Sequence, residues 1–503
     1  MSMLSALAHL EAMESWQAIP LTEFRHRRLS ARPLVIIPLT MAGEAGAPLA
    51  AMVGSARRQR TLLVVDQPRN RDQRFAFAAA LGQIVMDYIN SFRQDRRGDG
   101  DRSRYTDAPQ ILVPNPGGIK ALADLGRMCR FRQTTGPYAV AEVVPEFGMW
   151  LTFLVDAAEE AGTSMLLPIT GMLAEHWATG QSTLENQNLA SLMAWIDPPS
   201  GVSVEQALAD AENPDVCPPA GPTTSPQFDN RDLAPAIRRF DTANRLGDPQ
   251  ALADAESDLR DLVAEQVQPT WRMLWNAVAL MRTVPEAPRA ARRFERDCVS
   301  FTNYSDYQDS GPLPQRKRDA AVGAARRLGR QERALADYEA DMAFDDPFVL
   351  ADRRSVGEAF AGTVVEAEPG RVVTTDKNRR VPRPRIVVRT EDPLRLAPDT
   401  ALISPSPTVP ANHRARIVAT VPDGAATLVT VEITGGMGRA RVPAPGTVPE
   451  VGDRIAYLPD PGWRPTPVFP DADSMPWTHT APPDQPDPDN AESDDAAEEW
   501  GHD

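Results

Sequence analysis

The spacing of apolar residues changes character twice along this chain, and each change confines a segment to a different kind of element. PLVIIPL (33–39), TLLVVD (61–66) and QILVP (110–114) are short unbroken aliphatic runs rich in β-branched residues, the pattern of strands buried on both faces. The segments 47–59, 72–93 and 117–127 read as helices. Strands alternating with helices predict an α/β domain with a parallel sheet over residues 1–197. YAVAEVVPEF offers a further strand near 138–144, and helices are expected over most of 149–196.

Between 198 and 230 the prolines of DPPSG and ENPDVCPPAGPTTSPQ break both kinds of pattern, so a proline-rich linker is expected there, with one short helix at 203–212. Residues 231–358 are helical in pattern. Leu259, Leu262, Val263, Val267, Trp271, Leu274, Trp275, Val278 and Met281 recur every three or four positions, a packing stripe with a kink expected at Pro269. From 359 to 460 the period falls to two. AGTVVEAE, RVVTTD, RIVVRT, ARIVATV, TLVTVEIT and DRIAYLP are strand-length runs parted by Gly, Pro, Asn or Asp, which predicts a small antiparallel β-barrel or sandwich. Residues 461–503 are proline-rich and then acidic, and are expected to form a disordered tail. The fold class is thus multidomain: α/β, then helical, then β.

The formal net charge of −16 is concentrated at one end, because residues 471–503 hold eleven Asp and Glu and no Lys or Arg. The rest is nearly balanced. Only Lys120, Lys317 and Lys377 are lysines among 53 basic residues, so the choice of arginine at any site carries no meaning of its own. No lysine follows a glycine, which excludes a phosphate-binding GxxxxGK[ST] loop, and Gly117, Pro314 and Thr374 stand where SxxK would need serine. The six histidines form no HExxH or HxE…PCxxC pattern, GxSxG is absent, and His176 in AEHWATG reads as a structural histidine. Cys129, Cys217 and Cys298 are too far apart for a disulfide framework or a zinc knuckle, so no metal and no cofactor is expected, and a reducing cytoplasmic setting fits. The amino terminus lacks a basic n-region and no run of 18 apolar residues occurs, so neither a signal peptide nor a membrane span is expected.

Two regions invite a functional reading. In an open parallel sheet, ligands sit beyond the carboxyl ends of the strands. That places Glu44, Asp66, Asn115, Gly117, Gly118 and Lys120 as candidates, with the amides of the 117–127 helix facing an anion and the two carboxylates available for proton transfer. The plainer reading is that Asn115-Pro-Gly-Gly is only what a strand-to-helix turn needs and that Asp66 caps a segment.

The second region is GRVVTTDKNRRVPRPRIVVRTED, residues 370–392. Pro382 and Pro384 deny ladder hydrogen bonds, so Lys377, Arg379, Arg380, Arg383 and Arg385 are expected on an exposed loop between strands, as oligonucleotide-binding barrels present charge to a backbone. Aromatic residues for stacking are few there: Phe360, Tyr457 and Trp463. Upstream, Arg289, Arg292, Arg293 and Arg296, then Phe301, Tyr304 and Tyr307, then Arg316, Lys317, Arg318, Arg326, Arg327, Arg330 and Arg333 interleave cations with rings, a composition suited to single strands; a solvated helix face is the competing reading. The helix RQERALADYEADMAFDD leading into a barrel is similar in arrangement to the stalk and barrel insertion of helicases related to RNA-decay and DNA-replication factors, although the motor motifs are absent.

The sequence therefore predicts a non-catalytic accessory or adaptor protein whose helical and barrel half contacts single-stranded nucleic acid or a helicase or nuclease partner. An enzyme or small-ligand protein built on the α/β domain, and a protein-interaction scaffold, are the alternatives.

Overall fold

The computed structural model describes residues 3–43, 47–100, 103–219, 221–311, 321–375, 377–438, 440, 442–462 and 468–469. The unbroken aliphatic runs form strands, and they form them in the middle of a three-layer sandwich. The strands are β1 (Leu34–Thr40), β2 (Pro48–Ala56), β3 (Gln59–Val64), β4 (Ile111–Val113) and β5 (Leu166–Pro168), in the spatial order β3-β2-β1-β4-β5. Pairs β1–β4 and β4–β5 are parallel, whereas β1, β2 and β3 form an antiparallel meander, so the sheet is mixed where the sequence predicts a parallel one.

The difference has one cause. Residues 47–59, expected as a helix, are strand β2, and its residues Pro48–Val53 are all buried. The alanine content that favours a helix is a weak local preference. It is outweighed by burial against both helical layers. The strand expected near 138–144 is also absent. A helix begins at Val143 instead, with Pro145 in its first turn, where a missing N–H costs nothing.

Alternate residues of the strands face two cores. Leu34, Ile36 and Val53 pack with helices α1 (Arg71–Asn90), α2 (Pro116–Cys129) and α3 (Val143–Ala158), and with Phe301 and Cys298 of the Ala290–Asp309 helix. Val35, Ile37 and Met52 pack on the opposite face with Leu173, Leu192 and the Pro249–Thr283 helix, whose stripe Leu259, Val263, Val267, Trp271, Leu274, Trp275, Val278 and Met281 is buried as its spacing predicts. That helix runs through Pro269. The helices of 234–309 thus cover both faces of the sheet. Within 198–230, Val204–Glu212 is the expected short helix, and Pro222–Thr224 lies along β1: Thr40 N–H donates to Pro222 O and Thr224 N–H to Thr40 O. This segment occupies the place beside β1 that β4 vacates, since the β1–β4 ladder stops at Val35–Leu112, short of Pro38, which has no N–H to offer.

The Ala321–Asp345 helix leads through Asp346 into the Pro347–Ser355 helix and then the barrel. Asp346 is 1% exposed, caps the second helix through Phe348 and Val349 N–H, and accepts Glu23 N–H at 2.7 Å with His26 beside it at 3.5 Å. The period-two segments close into a six-stranded antiparallel barrel: β6 (Phe360–Glu368), β7 (Arg385–Thr390), β8 (Ala401–Ile403), β9 (Arg414–Asp423), β10 (Ala426–Gly435) and β11 (Arg454–Pro459), in the order β6-β7-β10-β9-β8-β11. Its interior holds Phe360, Val388, Leu402, Ile417, Val431 and Tyr457. The expected acidic tail lies outside the described residues. Among the described residues, no helix is long and apolar enough to cross a membrane.

Candidate functional sites

The chain between β6 and β7 leaves the barrel as a two-stranded ribbon, Val372–Thr374 against Arg380–Pro382, in the register Val372–Pro382, Val373–Val381, Thr374–Arg380. The RVVTT segment therefore pairs with Arg380–Pro382 outside the barrel wall, and RIVVRT pairs inside it. Thr375 N–H donates to Arg379 O, and Asn378 turns the tip with φ 54°, a left-handed conformation that asparagine tolerates. Lys377, Arg379 and Arg380 are exposed here, and none of them contacts a carboxylate among the described residues.

The base of the ribbon is different. Glu432 on β10 is 3% exposed and gathers three guanidinium groups: Arg371 Nη1 at 2.5 Å, Arg416 Nη2 at 2.9 Å and Arg385 Nε at 3.5 Å. Burial alone would push the Glu432 carboxyl up, but hydrogen bonds from Arg416 and Arg371 hold it below its ordinary value. Arg371 also donates to Arg383 O, and Arg383 Nη1 donates to Pro382 O. Arg389 pairs with Asp423 at 2.9 Å. Arg385, expected on the exposed loop, is thus neutralised in the barrel wall, and half-buried Arg383 is turned to the ribbon's own backbone. Of the five cations expected to be free, Lys377, Arg379 and Arg380 have no carboxylate partner among the described residues.

The first four arginines of the upstream basic region are structural. Arg289, Arg292 and Arg293 converge on Asp341, and Arg296 pairs with Asp337 at 3.0 Å. The interleaved rings are equally occupied: Phe301 is fully buried, and Tyr304 stacks on Phe153 with centroids 4.1 Å apart and donates to Met149 O. Phe360 and Tyr457 face the barrel interior, so they offer no stacking platform either. Arg316, Lys317, Arg318 and Trp463 lie outside the described residues.

In the α/β region the plainer reading of Asn115 is the observed one. Its Oδ1 accepts Gly118 N–H at 3.1 Å, capping α2, and its Nδ2 donates to Gly221 O at 2.9 Å. A Cβ on Gly117 would stand 2.7 Å from Pro222 Cδ. The amide end of α2 is therefore filled by its own cap and roofed by the linker, which corrects the expectation of an open anion site at Gly117 and Gly118. Lys120 points outward and pairs with Asp124 at 2.9 Å. Asp66 lies elsewhere: its carboxyl is raised by burial and by Glu256, and lowered by Arg260, both on the Pro249–Thr283 helix across the sheet from α2. Asp66 and Lys120 do not converge, and Glu44 lies outside the described residues. His176 is buried, with its Nδ1 2.6 Å from Thr22 Oγ1, as a structural histidine should be.

One feature escaped the sequence. Between α1 and α2, at the carboxyl end of β1, lies a cleft of about 420 Å³ whose walls are Phe77 and Leu81 on one side and Ala121, Leu122 and Leu125 on the other. Its lining is spread over five segments, and no local pattern marks it. Comparison with protein-family models, curated proteins and solved structures finds no match to the chain.

Proposed function

We propose that this chain is a non-catalytic accessory protein that holds the phosphate backbone of single-stranded nucleic acid on the tip of the ribbon between β6 and β7. The observation that carries this reading is the division of charge within one short segment. Arginines at the ribbon base are neutralised by Glu432, whereas Lys377, Arg379 and Arg380 are exposed, with no carboxylate beside them among the described residues. Free cations on a short, hydrogen-bonded stalk supply sequence-independent contact to phosphates. Phe360 and Tyr457 are buried in the barrel and offer no stacking face, which favours recognition of backbone charge over recognition of bases.

Titration of a fluorescent single-stranded oligonucleotide with the full chain tests this. Saturable, salt-sensitive binding that is lost when Lys377, Arg379 and Arg380 are all changed to alanine supports the reading. Absence of binding at low salt, or binding that survives the triple change, rejects it.

A further inference from the structure

The cleft between α1 and α2 exists because one cross-strand pair is too small. On the face of the sheet that meets these helices, β1 and β2 present the pair Ile36–Val53 and then, one step nearer the carboxyl end of β1, the pair Pro38–Ala51. Ile36 and Val53 fill the layer beneath the helices. Pro38 and Ala51 do not reach across it, and the space they leave is bounded by Phe77, Leu81, Leu122 and Leu125. A protein interior rarely leaves a void larger than a water molecule. At about 420 Å³ the cleft is instead of the size that holds small ligands. It also stands at the carboxyl end of β1, the side of the strands on which open sheets hold ligands.

The rim supplies the polarity. Asp124 accepts from Lys120 Nζ at 2.9 Å and from Arg127 Nη2 at 2.8 Å, so two cations share one carboxylate. The Lys120 side chain is 73% exposed, and an ammonium has three donors, of which Asp124 takes one. Thr40 Oγ1 is already committed to Pro222 O. We propose that the cleft binds a small molecule with an apolar body and a single carboxylate head, the body between Phe77, Leu81, Leu122 and Leu125 and the head at Lys120. This site is independent of the ribbon.

Isothermal titration of the full chain with decanoate, and separately with decanol, tests the assignment. Decanoate is expected to bind saturably with one molecule per chain. Ala121→Phe, which fills the cleft from α2, weakens it at least about tenfold; Ala121→Leu, a milder filling, provides the same reading if the larger ring impairs folding. Lys120→Gln weakens decanoate and leaves decanol unchanged. No saturable binding of decanoate, or binding indifferent to both Ala121 variants, overturns the site. Equal loss of decanoate and decanol in Lys120→Gln overturns the carboxylate head.

Discussion

Glu432 draws the guanidinium of Arg416 to 2.9 Å from inside the barrel wall, where its own carboxylate is almost wholly removed from water. Arg371 and Arg385 close on the same carboxylate from the ribbon base and from β7. Removing a buried charge from such a cluster leaves cations crowded without compensation. Glu432→Gln is expected to weaken the barrel by about 2 kcal/mol, the scale of a charge-assisted buried hydrogen bond. Because the carboxyl is held below 4.5, the stabilisation is complete above that pH and is lost as pH falls through the lowered value. Hydrogen exchange of backbone amides in 414–435 measures both effects; protection equal to wild type in Glu432→Gln would remove this cluster from the account of barrel stability.

The free cations of the ribbon fix a number for salt dependence. If Lys377, Arg379 and Arg380 each neutralise one phosphate, log affinity for a single strand should fall against log salt with a slope of about −2. Each single alanine change is expected to reduce that slope by about 0.7 and to weaken binding alike on every sequence. Polarisation titrations at four ionic strengths read the slope. A value steeper than about −4 would mean that cations beyond the tip take part.

How much of this was legible in the sequence depended on whether the deciding contact was local. Pro382 and Pro384 act on their own backbone, so the exit of DKNRRVPRP from the barrel wall follows from the sequence, whereas RVVTT, which has the pattern of a barrel strand, leaves the wall with it and pairs with Arg380–Pro382. The pairing of Arg385 with Glu432 spans 47 positions and has no local trace; the guanidinium looked as free as that of Arg380. The burial of Phe301 and Tyr304 leaves no local trace for the same reason: a tyrosine beside arginines looks alike whether it meets a base or Phe153. In β2 the error was of another kind, since alanine is at home in a helix and in a buried strand alike, and only the sheet decides between them. Strand β8, three residues long, fell below any period.

Asn115 offers a test of the roof over α2. Its side chain joins the helix amide end to Gly221 O, so Asn115→Ala loses a cap and a long-range hydrogen bond together. A cost of about 1–2 kcal/mol is expected, read as a lower urea midpoint of the α/β unit by tryptophan fluorescence. Gly117→Ala should act through the same contact, because its new Cβ must displace Pro222. Loss in the first variant without the second would show that the cap matters and the roof does not.

His413 sets the acid limit of the barrel. Its ring is fully buried, its Nε2 lies 3.0 Å from Tyr457 Oη, and burial followed by the charge of Arg414 lowers its pKa to about 4. The unfolded chain binds this proton near 6.5, so the folded state gains from the neutral ring above 6.5 and loses that gain as pH falls from 6.5 through 4. The displacement corresponds to about 3 kcal/mol at full titration. His413→Gln keeps a partner for Tyr457 and cannot take up the proton, so its barrel amides should exchange with little pH dependence across this window, while those of the wild type lose protection. If both proteins show the same pH dependence after correction for intrinsic exchange, the acid sensitivity lies with another group.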